Sequence, residues 1–145
     1  MKLRTNLTLL TLVAAALVGC ATSHKYDVSL TNQTAAPVTL WLTKDGPPLQ
    51  EGWLSPEDLA RVPRDQIHYD FANILPGKTG YTGEVSGQFD KNTHAVLRVY
   101  PGNLDLVDIL RDKPKWTPYT LKPGKNDLVA IDENGNLVIK PAASP

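Results

Sequence analysis

Apolar and polar residues alternate along much of the chain with a period of two, the spacing that puts one set on each face of a β-strand. Tyr26, Val28 and Leu30 form the first such run. Val38, Leu40 and Leu42 form the second, with Thr39, Trp41 and Thr43 on its other face. Ile67, Tyr69 and Phe71 alternate again, and Tyr81, Val85 and Phe89 mark one face of a longer strand that carries glycines at 83 and 87. Ala95 to Tyr100 is apolar on both faces except for Arg98, which predicts a central strand. Trp116 to Leu121 contains Pro118 and is predicted at an edge, because proline cannot donate to a ladder. Leu128 to Ile131 and Leu137 to Ile139 flank Asn134-Gly135, the strongest short hairpin signal.

Two segments break the alternation. Ser55-Pro56-Glu57-Asp58 offers an N-cap residue, a proline at the first helical position and acids in the first turn, so a short helix is predicted through about Arg61, stopped by Pro63. Residues 50–65 then read as an insertion crossing between strands. Leu104, Val107 and Leu110 are three apart and favour a second helical turn before Arg111, although Leu104, Leu106 and Asp108 also permit a strand. Leu75-Pro76-Gly77-Lys78 is echoed by Leu121-Lys122-Pro123-Gly124-Lys125, which is shared turn chemistry, proline presetting one turn position and glycine taking the positive φ of the next. Seven or eight short strands with regular turns predict one all-β, mainly antiparallel domain over residues 25–141. It is expected to be a single β-sandwich, Ig-like or transthyretin-like, with one or two short helices. Its predicted core contains Val38, Leu40, Leu42, Val85, Leu97, Val99 and Leu128.

The start of the chain follows another rule. Lys2 and Arg4 precede a twelve-residue stretch, Leu7 to Val18, interrupted only by Thr8 and Thr11. This reads as a secretory signal peptide over residues 1–19, since it is well short of the roughly 20 apolar residues needed to span a bilayer. It ends in Leu17-Val18-Gly19-Cys20, which resembles the lipobox of bacterial lipoprotein precursors. That resemblance implies a diacylated (palmitate-type) thiol at Cys20, cleavage just before it, acylation of the new amine, and residues 20–24 as a lipidated tether. Ala21 rather than Asp follows the cysteine, which in the best-studied Gram-negative sorting rule implies the outer membrane, facing the periplasm. Two plainer readings compete: Ala14-Ala15-Ala16 as an ordinary cleavage site, or a cysteine packed in the core. The neighbours Ala21, Thr22, Ser23 and His24 give it nothing to pack against. Each buried CH₂ contributes about 0.8 kcal/mol, and stable attachment needs more than one acyl chain.

Charge narrows the partners. Without Lys2 and Arg4, 13 basic side chains face 15 acidic ones, a formal charge of −2, with no run of either sign. No nucleic-acid partner is expected, because such proteins concentrate basic residues. Cys20 is the only cysteine, so no intramolecular disulfide forms even in a compartment that permits one. The mature length suits one domain with a core of its own.

Candidate chemistry is sparse. Gly77-Lys78-Thr79 looks like the end of a phosphate-binding loop, but Ala72 stands where the first glycine belongs, and strand-like residues follow instead of a helix. Asp132-Glu133-Asn134-Gly135-Asn136 offers oxygen ligands without the downstream acid of a calcium loop. His24, His68 and His94 are scattered, whereas a transition-metal site wants at least three converging ligands. Gly83-Glu84-Val85-Ser86-Gly87 has its serine one place away from that of a nucleophile elbow. Asp105 and Asp108 read as solvent-facing residues of one turn. No cofactor and no metal are predicted.

The aromatics offer a binding reading. Trp41 lies opposite the Val38-Leu40-Leu42 stripe, and Trp53 stands in the connection ahead of the capped helix. Either the 50–65 insertion covers Trp41 as a satellite cluster, or Trp41 and Trp53 form an exposed patch for a protein or glycan partner, with Trp53 as the anchor. The order of strand, helical insertion, Leu-Pro-Gly-Lys turn, Val-rich strand and terminal Asn-Gly hairpin is similar to the transthyretin-like sandwich lipoproteins of type VI secretion systems. Ala36-Pro37-Val38 and Leu97-Arg98-Val99-Tyr100 resemble strands of that family. That resemblance implies a sandwich that docks an inner-membrane partner through a loop. The expected function is a non-catalytic, lipid-anchored module of the bacterial cell envelope that binds or scaffolds another envelope component. The alternatives are a lipid-anchored enzyme with a scattered active site and a type VI secretion lipoprotein.

Overall fold

A computed structural model describes residues 20–62 and 71–143. The leader expected over residues 1–19, Pro63, and the alternating Ile67 and Tyr69 lie outside the described residues. The elements are β1 (Thr22–Asn32), β2 (Val38–Lys44), α1 (Pro56–Leu59), β3 (Phe71–Ile74), β4 (Thr79–Phe89), β5 (Ala95–Pro101), α2 (Leu106–Asp112), β6 (Thr117–Thr120), β7 (Gly124–Glu133) and β8 (Asn136–Pro141). They form two four-stranded sheets, β4-β1-β7-β8 and β3-β2-β5-β6. The apolar stripes of both sheets meet in one core that includes Val28, Leu30, Leu40, Leu42, Leu97, Val99, Leu128 and Ala130. The protein is an all-β sandwich.

The strand order is not that of an immunoglobulin domain, which keeps its first two strands in one sheet. Here β1 and β2 lie in opposite sheets, joined by a crossover that Asn32 holds together. Asn32 is fully buried. Its amide donates to the Ala36 carbonyl at 2.8 Å and the Ile74 carbonyl at 2.9 Å, and its Oδ1 accepts from the Thr34 backbone at 2.9 Å and hydroxyl at 2.7 Å. A satisfied buried amide of this kind fixes a chain path that apolar packing leaves free. The pairing of β1 with β7 is parallel, from Tyr26 opposite Gly124 to Asn32 opposite Ala130. Antiparallel pairing makes up the rest of both sheets.

Most expected elements stand where the alternation put them. Central β5 pairs β2 and β6, and β6 is the edge strand that carries Pro118. Asn134 and Gly135 both take positive φ, 53° and 78°, as a two-residue hairpin of the primed type requires. Helix α1 has Ser55 as its N-cap, and α2 opens with a capping box in which Asp105 and Asp108 each accept from the other's backbone N–H. Those two acids are therefore helix-start residues.

Three expectations need correction. Residues 22–24 belong to β1 and are not a tether, because their backbones pair with Gly87–Phe89 of β4, and a ladder needs no apolar side chains. Tyr81 and Val85 do not share a face. Between Asp27 and Ser29 of β1, strand β4 inserts an extra residue around Gly83, whose φ is +68°. Such a bulge reverses the phase of the alternation, so Tyr81 is 71% exposed while Val85 packs against the core. Val85 is also only partly buried, whereas the other six predicted core residues are fully so.

Candidate functional site

Cys20 is free and exposed, and Ala21 alone separates it from β1. The start of β1 is fixed by its partner strand, with Thr22 opposite Phe89 and Ser23 opposite Gln88. The His24 ring lies 5.9 Å from that of Phe89. A group attached to Cys20 is thus held close to one end of the sandwich.

The connection from β2 to α1 folds back over this end. The Trp53 indole Nε1 donates to the Ser86 carbonyl at 2.9 Å, and the Trp53 carbonyl accepts from the Thr43 hydroxyl at 2.9 Å. Its ring meets Tyr26 and Phe89 edge-on, with centroids 5.5 Å and 5.2 Å away. Gly87 makes the space, since a Cβ there would lie 2.7 Å from both Phe89 and Trp53. Trp53 is only 2% exposed and belongs to the main core. Trp41 is fully buried on the other face of its sheet, in a second cluster with Leu59, Tyr100 and Ile109, and its Nε1 donates to the Leu54 carbonyl at 2.9 Å. The insertion covers Trp41. The exposed aromatic patch expected of Trp41 and Trp53 is therefore absent, because the 50–62 chain turns both rings inward.

The constellation that alternation did not announce surrounds Arg98. This residue projects from β5 onto the sheet face that α1 and α2 cover, with 15% of its side chain exposed. Its Nη1 donates to Glu57 Oε2 at 2.8 Å, and its Cζ lies 4.3 Å from the centre of the Trp116 ring. The Tyr100 hydroxyl is near enough to interact with the guanidinium. Neither that hydroxyl nor Arg98 Nε has hydrogen-bond geometry to any partner among the described residues. Burial raises the Tyr100 pKa and outweighs the opposing pull of Arg98. Burial alone would raise that of Glu57, but its own backbone N–H, Arg98 and Ser55 together hold it below the usual carboxylate range. For Arg98, burial opposes the charge, while Tyr100 and Glu57 overcome it and raise the pKa. The guanidinium and carboxylate stay charged and the phenol stays neutral at neutral pH.

Two clefts flank this cluster. One, of about 260 Å³, lies between the helices and is lined by Glu57, Tyr100, Ile109, Lys113 and Trp116 among others. The second, of about 440 Å³, is shallower and is lined by Lys44, Asp45, Leu49, Ser55, Asp58 and Arg98 among others. Lys44 and Asp45 of the second cleft are held within the fold. Lys44 Nζ donates to the Pro48 and Gln88 carbonyls at 2.6 and 2.8 Å and to Gln50 Oε1 at 3.2 Å. Asp45 accepts from the His94 backbone at 2.6 Å and lies 2.9 Å from His94 Nδ1.

The other motifs are turns and ladders. The N–H of Gly77 donates to the Asn32 carbonyl at 2.7 Å and that of Lys78 to Leu75 at 3.0 Å, so neither is free to cradle a phosphate. Glu133 pairs with Lys140 across the last hairpin. Among the described residues no three His, Cys, Asp or Glu side chains converge in a way that could hold a metal ion. No family model and no curated protein matches the chain.

The Arg98 cluster had one trace in the sequence: a lone charge in an otherwise apolar strand. Its partners Glu57 and Trp116 are 41 residues before and on the next strand's approach, a distance no local pattern spans.

Proposed function

We propose that this protein is a lipid-anchored lipoprotein of the bacterial cell envelope, acylated at Cys20, whose sandwich binds or scaffolds another envelope component without catalysis. The observation that carries the reading is the place of Cys20. The lipobox cysteine is exposed and stands directly ahead of a firmly paired first strand, where acyl chains leave the fold untouched. Among the described residues no helix is long and apolar enough to cross a membrane, and the proposed attachment needs none. The Ala21 rule assigns it to the outer membrane, facing the periplasm.

The cleft chemistry supports binding over catalysis. A general acid or base works best with a pKa near the working pH. Glu57 is moved down and Tyr100 up, both away from neutrality. A second reading, the type VI secretion lipoprotein, draws support from one observation: β1 and β2 lie in opposite sheets, which is compatible with a transthyretin-like sandwich and not with the Ig order. It calls for an inner-membrane partner at a loop.

The test replaces Cys20→Ser. The variant is expected to lose the acyl mass on its N-terminal peptide and move from the membrane to the soluble fraction, with the thermal midpoint unchanged. Full retention in membranes would overturn the reading. Affinity purification from membranes with the anchor intact then identifies the partner, and recovery of an inner-membrane component selects the second reading.

A further inference from the structure

One residue between Cys20 and β1 is a severe restraint. A residue spans at most about 3.3–3.6 Å, so the Cα of Cys20 stays within roughly 7 Å of that of Thr22. Thr22 and Ser23 are in turn paired with Phe89 and Gln88. The domain can swivel about an anchor at Cys20 but cannot lift away from it.

Gln88 and Asp90, at and just past the end of β4, hold the Lys44–Gln50 connection. The Gln88 backbone N–H donates to Gln50 Oε1 at 2.9 Å, the Gln88 carbonyl accepts from Lys44 Nζ at 2.8 Å, and the Asp90 N–H donates to the Pro47 carbonyl at 3.3 Å. Leu49 lies between these fixed points and is 76% exposed, the highest exposure among the large apolar side chains of the described residues. The other described turns, at Leu75–Lys78, Pro101–Asn103 and Asn134–Gly135, lie at the far ends of the strands.

We propose that the Lys44–Gln50 connection rests on the lipid leaflet that carries Cys20, with Leu49 entering the boundary between headgroups and acyl chains, so that the Asn134–Gly135 end points away from the membrane. This rests on acylation of Cys20 as proposed above, and it explains why an apolar side chain is displayed on a rigid loop beside the anchor. The contact is apolar, so it is expected to hold in low and high salt alike.

The test uses the protein extracted from membranes, its acylation read by mass, and reconstituted in phosphatidylcholine vesicles with or without brominated acyl chains. Leu49→Trp and Asn134→Trp each add an exposed fluorophore to the emission of the parent protein. Bromine is expected to quench the added emission at position 49 at least twofold, in low and high salt alike, and to leave that at 134 unchanged. No quenching at 49, or equal quenching at both positions, overturns the proposal. An unacylated Cys20 in the mass spectrum would instead overturn the functional reading. The same protein coupled through Cys20 to a maleimide phospholipid then reproduces the tether, and the two tryptophans still report the orientation.

Discussion

Trp53 is held by an indole hydrogen bond to Ser86, a carbonyl bond from Thr43 and two edge-on aromatic contacts. Residues held so fully are core, and Trp53→Ala is expected to cost about 3–5 kcal/mol, as for other large aromatics. Urea unfolding measures it, and a loss under about 1 kcal/mol would mean the ring contributes little. Gly87→Ala approaches the same contact from the other side. Its Cβ would sit 2.7 Å from Trp53, and overpacking of this kind costs about 1–3 kcal/mol. Glu57 adds a pH dependence. Its folded pKa is lowered, so the stabilisation it gives is complete above its unfolded pKa and is lost as pH falls through the folded value. Glu57→Gln is expected to flatten that part of the acid limb below about pH 4.3. The effect is small, since the side chain is 57% exposed and water screens the pair. An unchanged acid limb would show that Arg98 draws nothing from it.

Elements were legible wherever one rule acted locally. Period-two runs located β1 and β2, a run apolar on both faces located β5, and Asn134-Gly135 located the β7–β8 hairpin, while Ser55-Pro56 marked the start of α1 and the spacing of Leu104, Val107 and Leu110 located α2. What the sequence concealed was non-local. The parallel register of β1 against β7 leaves no mark in either strand, because alternation is the same whichever way a neighbour runs. The Arg98 cluster joins residues from α1, β5 and the approach to β6. The inward turn of Trp53 depends on Gly87, which reads as a strand-weakening glycine until the ring beside it is seen. The bulge at Gly83 was half visible, as a glycine within a strand, but its effect on phase follows only from the pairing with β1. Gly83→Ala tests this. A side chain at φ +68° meets a penalty of about 1–2 kcal/mol, with nothing within 4 Å of the added Cβ to obstruct it. A neutral substitution, by thermal unfolding, would mean β4 can drop the bulge and shift register.

At the scale of the whole molecule, the two sheets are completed in different ways. The sheet β3-β2-β5-β6 is assembled from strands that all precede Lys122, whereas β1 gains its second neighbour only when β7 arrives, and β8 then completes that sheet. Strand β7 supplies Asn126, Leu128 and Ala130 to the interior, and its parallel ladder covers β1 from Tyr26 to its end at Asn32. Among the described residues, the first strand is therefore fixed by nearly the last. Pairing so distant in sequence must meet its loop-closure entropy before any contact rewards it, and folding on the scale of milliseconds to seconds follows. A chain stopped after Lys122 keeps every residue of one sheet and loses the centre of the other, exposing Val28 and Leu30 along one edge of the sandwich. It is expected to show no cooperative thermal transition. A chain stopped after Glu133 loses only edge strand β8, and with it Ile139 and the ladder to β7, so a weakened but cooperative transition is expected. If the shorter fragment melts as sharply as the longer one, the sheets fold independently, and the parallel pairing of β1 with β7 is not what unites the domain.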